Sequence, residues 1–142
     1  MPNAPTRIDI DIDCTKITFS NNIDNVVHLD LSNLDTSRIS NMNSMFYNSP
    51  GIISINLSNF NTSNVTDMRY MFLGCSRLEY LDLSYFDITN VTEFTNMFSQ
   101  CTNLSHIKCK QAFKDWCIAN QSNIQLPNTM REGGSGTWEI VD

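Results

Sequence analysis

The stretch SNVTDMRYMFLGCSRL, Ser63–Leu78, is written again as TNVTEFTNMFSQCTNL, Thr89–Leu104, and with looser spelling as SRISNMNSMFYNSPGI, Ser37–Ile52. The offset is constant at 26: Leu31, Leu57 and Leu83 obey it, as do Met45, Met71 and Met97, and Phe46, Phe72 and Phe98. A fixed period of this length marks a chain of like units, each too small to bury its apolar side alone.

Within a unit the pattern changes period. Leu81 and Leu83 alternate with Tyr80, Asp82 and Ser84, which predicts a short strand with one buried face. Met68, Met71, Phe72 and Cys75 then fall at i, i+3, i+4 and i+7, the stripe of an amphipathic helix. The stripe recurs as Met42, Met45, Phe46 and Ser49, and as Phe94, Met97, Phe98 and Cys101. Ser40, Thr66 and Thr92 stand ahead of each stripe as N-cap hydroxyls, and Asp67 and Glu93 follow at the positive end of the helix dipole. Asn48 and Gly74 tolerate the left-handed conformation that ends a helix; Gln100 fits that slot less well.

These patterns predict an α/β repeat solenoid, leucine-rich-repeat-like, with one short strand and one short helix per 26-residue coil. Residues 1–142 read as a single domain: an N-terminal cap over 1–25, three repeats over 26–104, and a partial repeat with a C-terminal cap over 105–142. Ile8, Ile10 and Ile12 alternate with Asp9, Asp11 and Asp13, and Ile17 and Phe19 resume the alternation, which predicts a capping hairpin. At the other end Ala112, Phe113, Trp116 and Cys117 share a helical face, and Thr137–Val141 reads as a closing strand.

The segment LEYLDLSYF, Leu78–Phe86, resembles the leucine-rich-repeat consensus, with Leu34, Phe60 and Phe86 where that consensus carries an asparagine ladder. Backbone groups there need other partners, from the Ser32, Ser58, Ser84 column or the Asp35, Asn61, Asp87 column. The longer motif in Leu29–Ile52, Ile53–Leu78 and Glu79–Leu104 resembles the bacterial surface protein 26-residue repeat family, of the BspA-like kind. The match runs over about residues 26–109. The resemblance implies a surface-exposed bacterial protein linked to adhesion, and implies no catalytic residues.

Composition narrows the function. The net charge is -6 with pI about 4.7, and the nine Lys and Arg never cluster, which argues against nucleic acid as a partner. No run approaches the roughly 18 apolar residues of a membrane span, so no membrane insertion is expected. The opening MPNAPTRIDIDID has neither a basic nor an apolar signal-peptide region. Five cysteines, Cys14, Cys75, Cys101, Cys109 and Cys117, are odd in number, so a complete internal disulfide framework is excluded. Cys75 and Cys101 read as a buried thiol column, while a Cys109–Cys117 disulfide stays open.

Asp9, Asp11 and Asp13 lack the glycine turn and distal glutamate of a calcium loop, and read as a solvated strand edge rather than a metal site. Sequons at Asn56, Asn61, Asn64, Asn90, Asn103 and Asn120 follow the repeat, so turn and cap chemistry explains them better than glycosylation. No nucleophile elbow, phosphate loop or zinc spacing occurs, and neither an enzyme nor a cofactor is expected.

The expected function is a noncatalytic binding or adhesion module at the cell surface or secreted, recognising a protein or glycan. Its binding face is assigned to two outward columns on the strands: His28, Ser54, Tyr80 and His106, and Asp30, Asn56, Asp82 and Lys108. The charges of the second column nearly cancel. The alternative is a structural or decoration domain of a larger assembly, such as a phage virion or fibre.

Overall fold

The computed structural model describes residues 8–10, 16–19 and 26–142. Strand β1 (Ile8–Ile10) pairs antiparallel with β2 (Ile17–Phe19), Asp9 opposite Thr18, so the predicted N-terminal hairpin forms. The side chains of Asp9, Asp11 and Asp13, and Cys14, lie outside the described residues. Next come β3 (His28–Asp30), β4 (Ser54–Asn56), β5 (Tyr80–Asp82) and β6 (His106–Cys109). Helix α1 (Gln111–Ala119), a short 3-10 turn (Asn128–Met130) and β7 (Thr137–Ile140) close the chain.

The expected leucine-rich-repeat solenoid is not what forms. The parallel strands make two small sheets rather than one continuous face, a two-stranded β3–β4 sheet and a three-stranded β5–β6–β7 sheet. No helix occurs within the repeats; α1 is the one α-helix among the described residues, and the rest is short strand and turn. The reason lies in where the amides of the stripe segments point. Met42, Ser44, Phe46 and Asn48 donate to the carbonyls of Asp67, Arg69, Met71 and Leu73 in the next unit, at 2.9, 2.9, 2.9 and 2.6 Å. Met68, Tyr70, Phe72 and Gly74 do the same to Glu93, Thr95, Met97 and Ser99. A helix keeps these donors for its own i−4 carbonyls. Here only alternate amides stay inside, and they reach i−3: Tyr47 to Ser44 and Leu73 to Tyr70.

Left-handed backbone drives the alternation. Ser44, Asn48, Tyr70, Asn96 and Gln100 have φ of 60, 53, 59, 56 and 63°, and Gly74 has 82°. A positive φ every four residues breaks an α-helix and builds consecutive turns. Gly74 is needed twice over, because a Cβ there would also meet the Asn48 Cα at 3.0 Å. The left-handed positions expected at Asn48 and Gly74 therefore exist, but they belong to turns. Ser40, Thr66 and Thr92 cap nothing helical; the Thr66 and Thr92 amides instead donate to the Ser40 and Thr66 carbonyls at 2.9 Å each.

The stripes are nonetheless core. Met42, Phe46, Met68, Met71, Phe72, Cys75, Met97 and Phe98 are fully buried. Positions i, i+3, i+4 and i+7 fall on one side of two successive four-residue turns as readily as on one side of a helix. Phe72 stacks on Phe46 at 5.4 Å and on Phe98 at 5.6 Å, and Phe60 stacks on Phe86 at 6.4 Å.

Short polar side chains satisfy the bends. The Asp30, Asn56, Asp82 carboxylate or amide oxygens accept from the amides of Ser32, Ser58 and Ser84, and Asp35, Asn61 and Asp87 do the same for Ser37, Ser63 and Thr89. The aspartate column proposed to serve the turn does serve it. The buried Thr36 and Thr62 join in, although the apolar pattern gives no sign of it: each hydroxyl donates to the carbonyl of Asn61 or Asp87 in the next unit and accepts from the same residue's amide. Asn41, Asp67 and Glu93 form parallel bridges between units, and Arg69 ties Asp67 to Glu93 at 2.9 and 3.3 Å.

In the C-terminal part Phe113 and Cys117 are buried and Trp116 packs against them, whereas Ala112, assigned to the same face, is exposed. The α1 N-terminus is capped by the Asp142 carboxylate, which accepts from the Gln111 amide at 3.0 Å. Ile124 continues the turn ladder, accepting from the Phe98 amide at 2.9 Å.

Phe72 sits between two rings with no exposure, so Phe72→Ala is expected to cost about 3–5 kcal/mol in denaturant melts. A loss under about 1 kcal/mol would show that the turn segments do not carry the core.

Candidate functional site

The strands are only three or four residues long, and their middle residues, Leu29, Ile55, Leu81 and Ile107, point into the core. Period-two alternation sends their neighbours outward. Parallel register aligns those neighbours: His28 with Ser54 and Asp30 with Asn56 in the first sheet, Tyr80 with His106 and Asp82 with Lys108 in the second. All eight residues assigned to the face therefore reach the strand surface, but in two groups.

The first group surrounds a depression of about 240 Å³ over the β3–β4 sheet, with Tyr80 of β5 at its edge. Its rim carries His28, Asp30, Ser54, Asn56 and Tyr80, and its floor is the backbone at Leu29 and Ile55, whose side chains point into the core. The His28 Nδ1 lies 2.7 Å from the Ser54 hydroxyl, which tethers the imidazole across β3 and β4. The Ser32 hydroxyl and amide hold the Asp30 carboxyl below its ordinary range.

The second group is joined by a residue that the sequence patterns did not mark. Strand β7 runs parallel to β6 with Glu139 beside Lys108. The Glu139 carboxylate approaches His106 Nε2 at 2.9 Å and Lys108 Nζ at 4.0 Å. With Glu139 added, the face carries Asp30, Asp82 and Glu139 against Lys108, so the near-cancellation of charge expected from the repeat columns does not hold. The available signal was the alternation Thr137, Trp138, Glu139, Ile140, which reads as a strand but gives no register. Trp138 turns inward, its indole N–H donating to the Met130 carbonyl at 3.1 Å.

Tyr80 links the groups. Its ring meets the His106 ring at 4.7 Å and 81°, an edge-to-face contact. It stays 43% exposed. Partial burial, with Asp82 and Glu139 nearby, raises the phenol above its ordinary pKa. Opposite the strands Tyr47 is 52% exposed among the turns.

The described cysteines are free thiols, so the Cys109–Cys117 disulfide is not present. Cys75 and Cys101 form the buried column expected of them, their Sγ donating to the Phe46 and Phe72 carbonyls at 3.2 and 3.1 Å. Burial pushes the Cys75 thiol up to about 12 and the Cys101 thiol also upward. Among the described residues no group of three or more His, Cys, Asp or Glu could hold a metal, and no helix is long and apolar enough to cross a membrane.

Against known proteins, the model of the family described as "Mycoplasma protein of unknown function, DUF285" matches residues 14–131. The chain belongs to this family. No curated protein matches it, and no solved structure does. The DUF285 match spans all three repeats and the segment through Arg131, and so covers the strand face except β7.

Glu139→Gln removes a negative charge beside Tyr80 and is expected to lower the Tyr80 phenol pKa toward its ordinary value. Ultraviolet titration of tyrosinate, referenced to Tyr80→Phe, measures it; no change would mean that Glu139 does not face the ring. Cys75 and Cys101 are expected to resist a thiol reagent in the native protein and to label together on unfolding. Rapid native labelling of both would exclude a closed core at this column.

Proposed function

We propose that the chain is a noncatalytic binding module of a bacterial surface or secreted protein, and that its protein or glycan partner docks on the strand face. The observation that carries this reading is Tyr80: a half-exposed aromatic ring, fixed by His106, at the edge of a depression rimmed with short polar groups. A fixed ring gives contact area at small entropic cost, and the polar groups around it give orientation. The likeness of the repeat motif to BspA-like surface proteins supports the same reading.

The structural alternative, a decoration domain of a virion or fibre, is favoured by β7. This strand ends its sheet, and three of its four residues are exposed. An open edge can pair with another chain.

A glycan and protein array probed with the full chain tests the choice. Tyr80→Ala is expected to weaken binding by about 1–2 kcal/mol with an almost unchanged melt, and Leu73→Ser on the turn side is expected to leave binding intact. If Leu73→Ser abolished binding while Tyr80→Ala did nothing, docking on the strand face would be wrong and assembly through other surfaces the better account.

A further inference from the structure

We propose that the depression over the β3–β4 sheet takes one neutral pyranose ring of a glycan, with Tyr80 as its stacking wall and Asp30 and Asn56 holding neighbouring hydroxyls. The proposal deepens the strand-face reading and rests on it.

Size sets the first limit. Ligand pockets for drug-sized molecules run about 300–1,000 Å³, so a depression of about 240 Å³ holds one ring and leaves the rest of a chain outside. The walls then select the chemistry. A sugar ring is polar around its rim and carries polarised C–H bonds on its faces, and those hydrogens suit the negative face of an aromatic ring. Here one aromatic wall meets a polar rim above the backbone of Leu29 and Ile55.

The rim offers complementary groups on adjacent strands. Asp30 and Asn56 are register partners in the parallel pair, about 4.8 Å apart along the hydrogen-bonding direction. The Asp30 carboxylate takes the Ser32 amide on Oδ1 at 2.9 Å and also meets the Ser32 hydroxyl, and of its roughly four lone-pair sites others remain to accept from a sugar hydroxyl. Asn56 uses Oδ1 for the Ser58 amide at 3.0 Å, which leaves its NH₂ to donate. Vicinal hydroxyls, each both donor and acceptor, fit such a pair. His28, with Nδ1 engaged by Ser54 at 2.7 Å, keeps Nε2 for a third contact.

Charge excludes acidic sugars. Among the described residues no Lys or Arg lines the depression, and Asp30 does. Lys108, the one lysine or arginine among the described residues of the face, lies beside Glu139 on the other sheet. A carboxylate or sulfate in this place would meet repulsion from Asp30.

Saturation-transfer NMR on the full chain tests this with methyl glycosides of glucose, galactose, mannose and N-acetylglucosamine, and with a methyl sialoside as the anionic probe. At least one neutral glycoside is expected to show transfer strongest at the ring C–H protons, and the sialoside none. Tyr80→Ala and Asn56→Ala are each expected to raise the Kd of that glycoside about tenfold or more, while Tyr47→Ala leaves it unchanged. Thermal melts of each variant confirm that the fold is retained. Transfer from the sialoside alone, no transfer from any neutral glycoside, or a neutral signal indifferent to Tyr80→Ala would each overturn the proposal. If a protein partner from the array loses affinity in Tyr80→Ala while every glycoside fails, the sugar assignment falls and the strand-face reading stands. If neither kind of ligand responds to Tyr80→Ala, the face itself is wrong.

Discussion

The structure depends on amides that leave their own segment. Every second N–H between Met42 and Asn48, and again between Met68 and Gly74, donates to a carbonyl of the neighbouring unit. A segment bonded in this way cannot be folded alone, because half of its donors have no partner until the next unit is in place. The units therefore stand or fall together, and the apolar column of Phe46, Phe72 and Phe98 is assembled by the same step that satisfies the backbone. Turn residues with positive φ are what aim those amides outward.

That bonding is continuous on the turn side and interrupted on the strand side. Asn41, Asp67 and Glu93 bridge one unit to the next without a break. The strands instead pair as β3 with β4 and as β5, β6 and β7, with no ladder between β4 and β5. The shallow depression lies over the paired strands β3 and β4, between their two outward columns, and Tyr80 from the other sheet stands on its lip. Concavity matters because a ligand in a depression loses more of its hydration to protein contact than one on a flat sheet.

The polar coat of this chain has two separate roles. Part of it is spent inside the molecule: Asn64 and Asn90 donate to the Ser37 and Ser63 carbonyls at 2.7 Å each, and Thr36 and Thr62 are buried between units. Another set on the strands keeps unused hydrogen-bonding capacity toward solvent. The first set explains why sequon-like triplets recur with the repeat, and the second gives the strand face its chemistry.

The repeat of 26, the apolar columns and the outward strand residues were legible in the sequence, because a side chain's burial follows from its spacing whichever backbone carries it. The backbone itself was not legible. Met68, Met71, Phe72 and Cys75 fit a helix and a pair of four-residue turns equally well, and only the hydrogen bonds to Glu93, Thr95, Met97 and Ser99 decide for turns. The hint was local: Ser, Asn, Tyr, Gly and Gln stand at the left-handed positions, and Ser, Asn and Gly are poor helix formers. The binding face divides in the same way. Its eight repeat-borne residues follow from alternation, whereas the arrival of Glu139 beside His106 and Lys108, and the parting of β4 from β5, depend on the register of strands distant in sequence. Register between such strands is set by packing in three dimensions, and no local pattern encodes it.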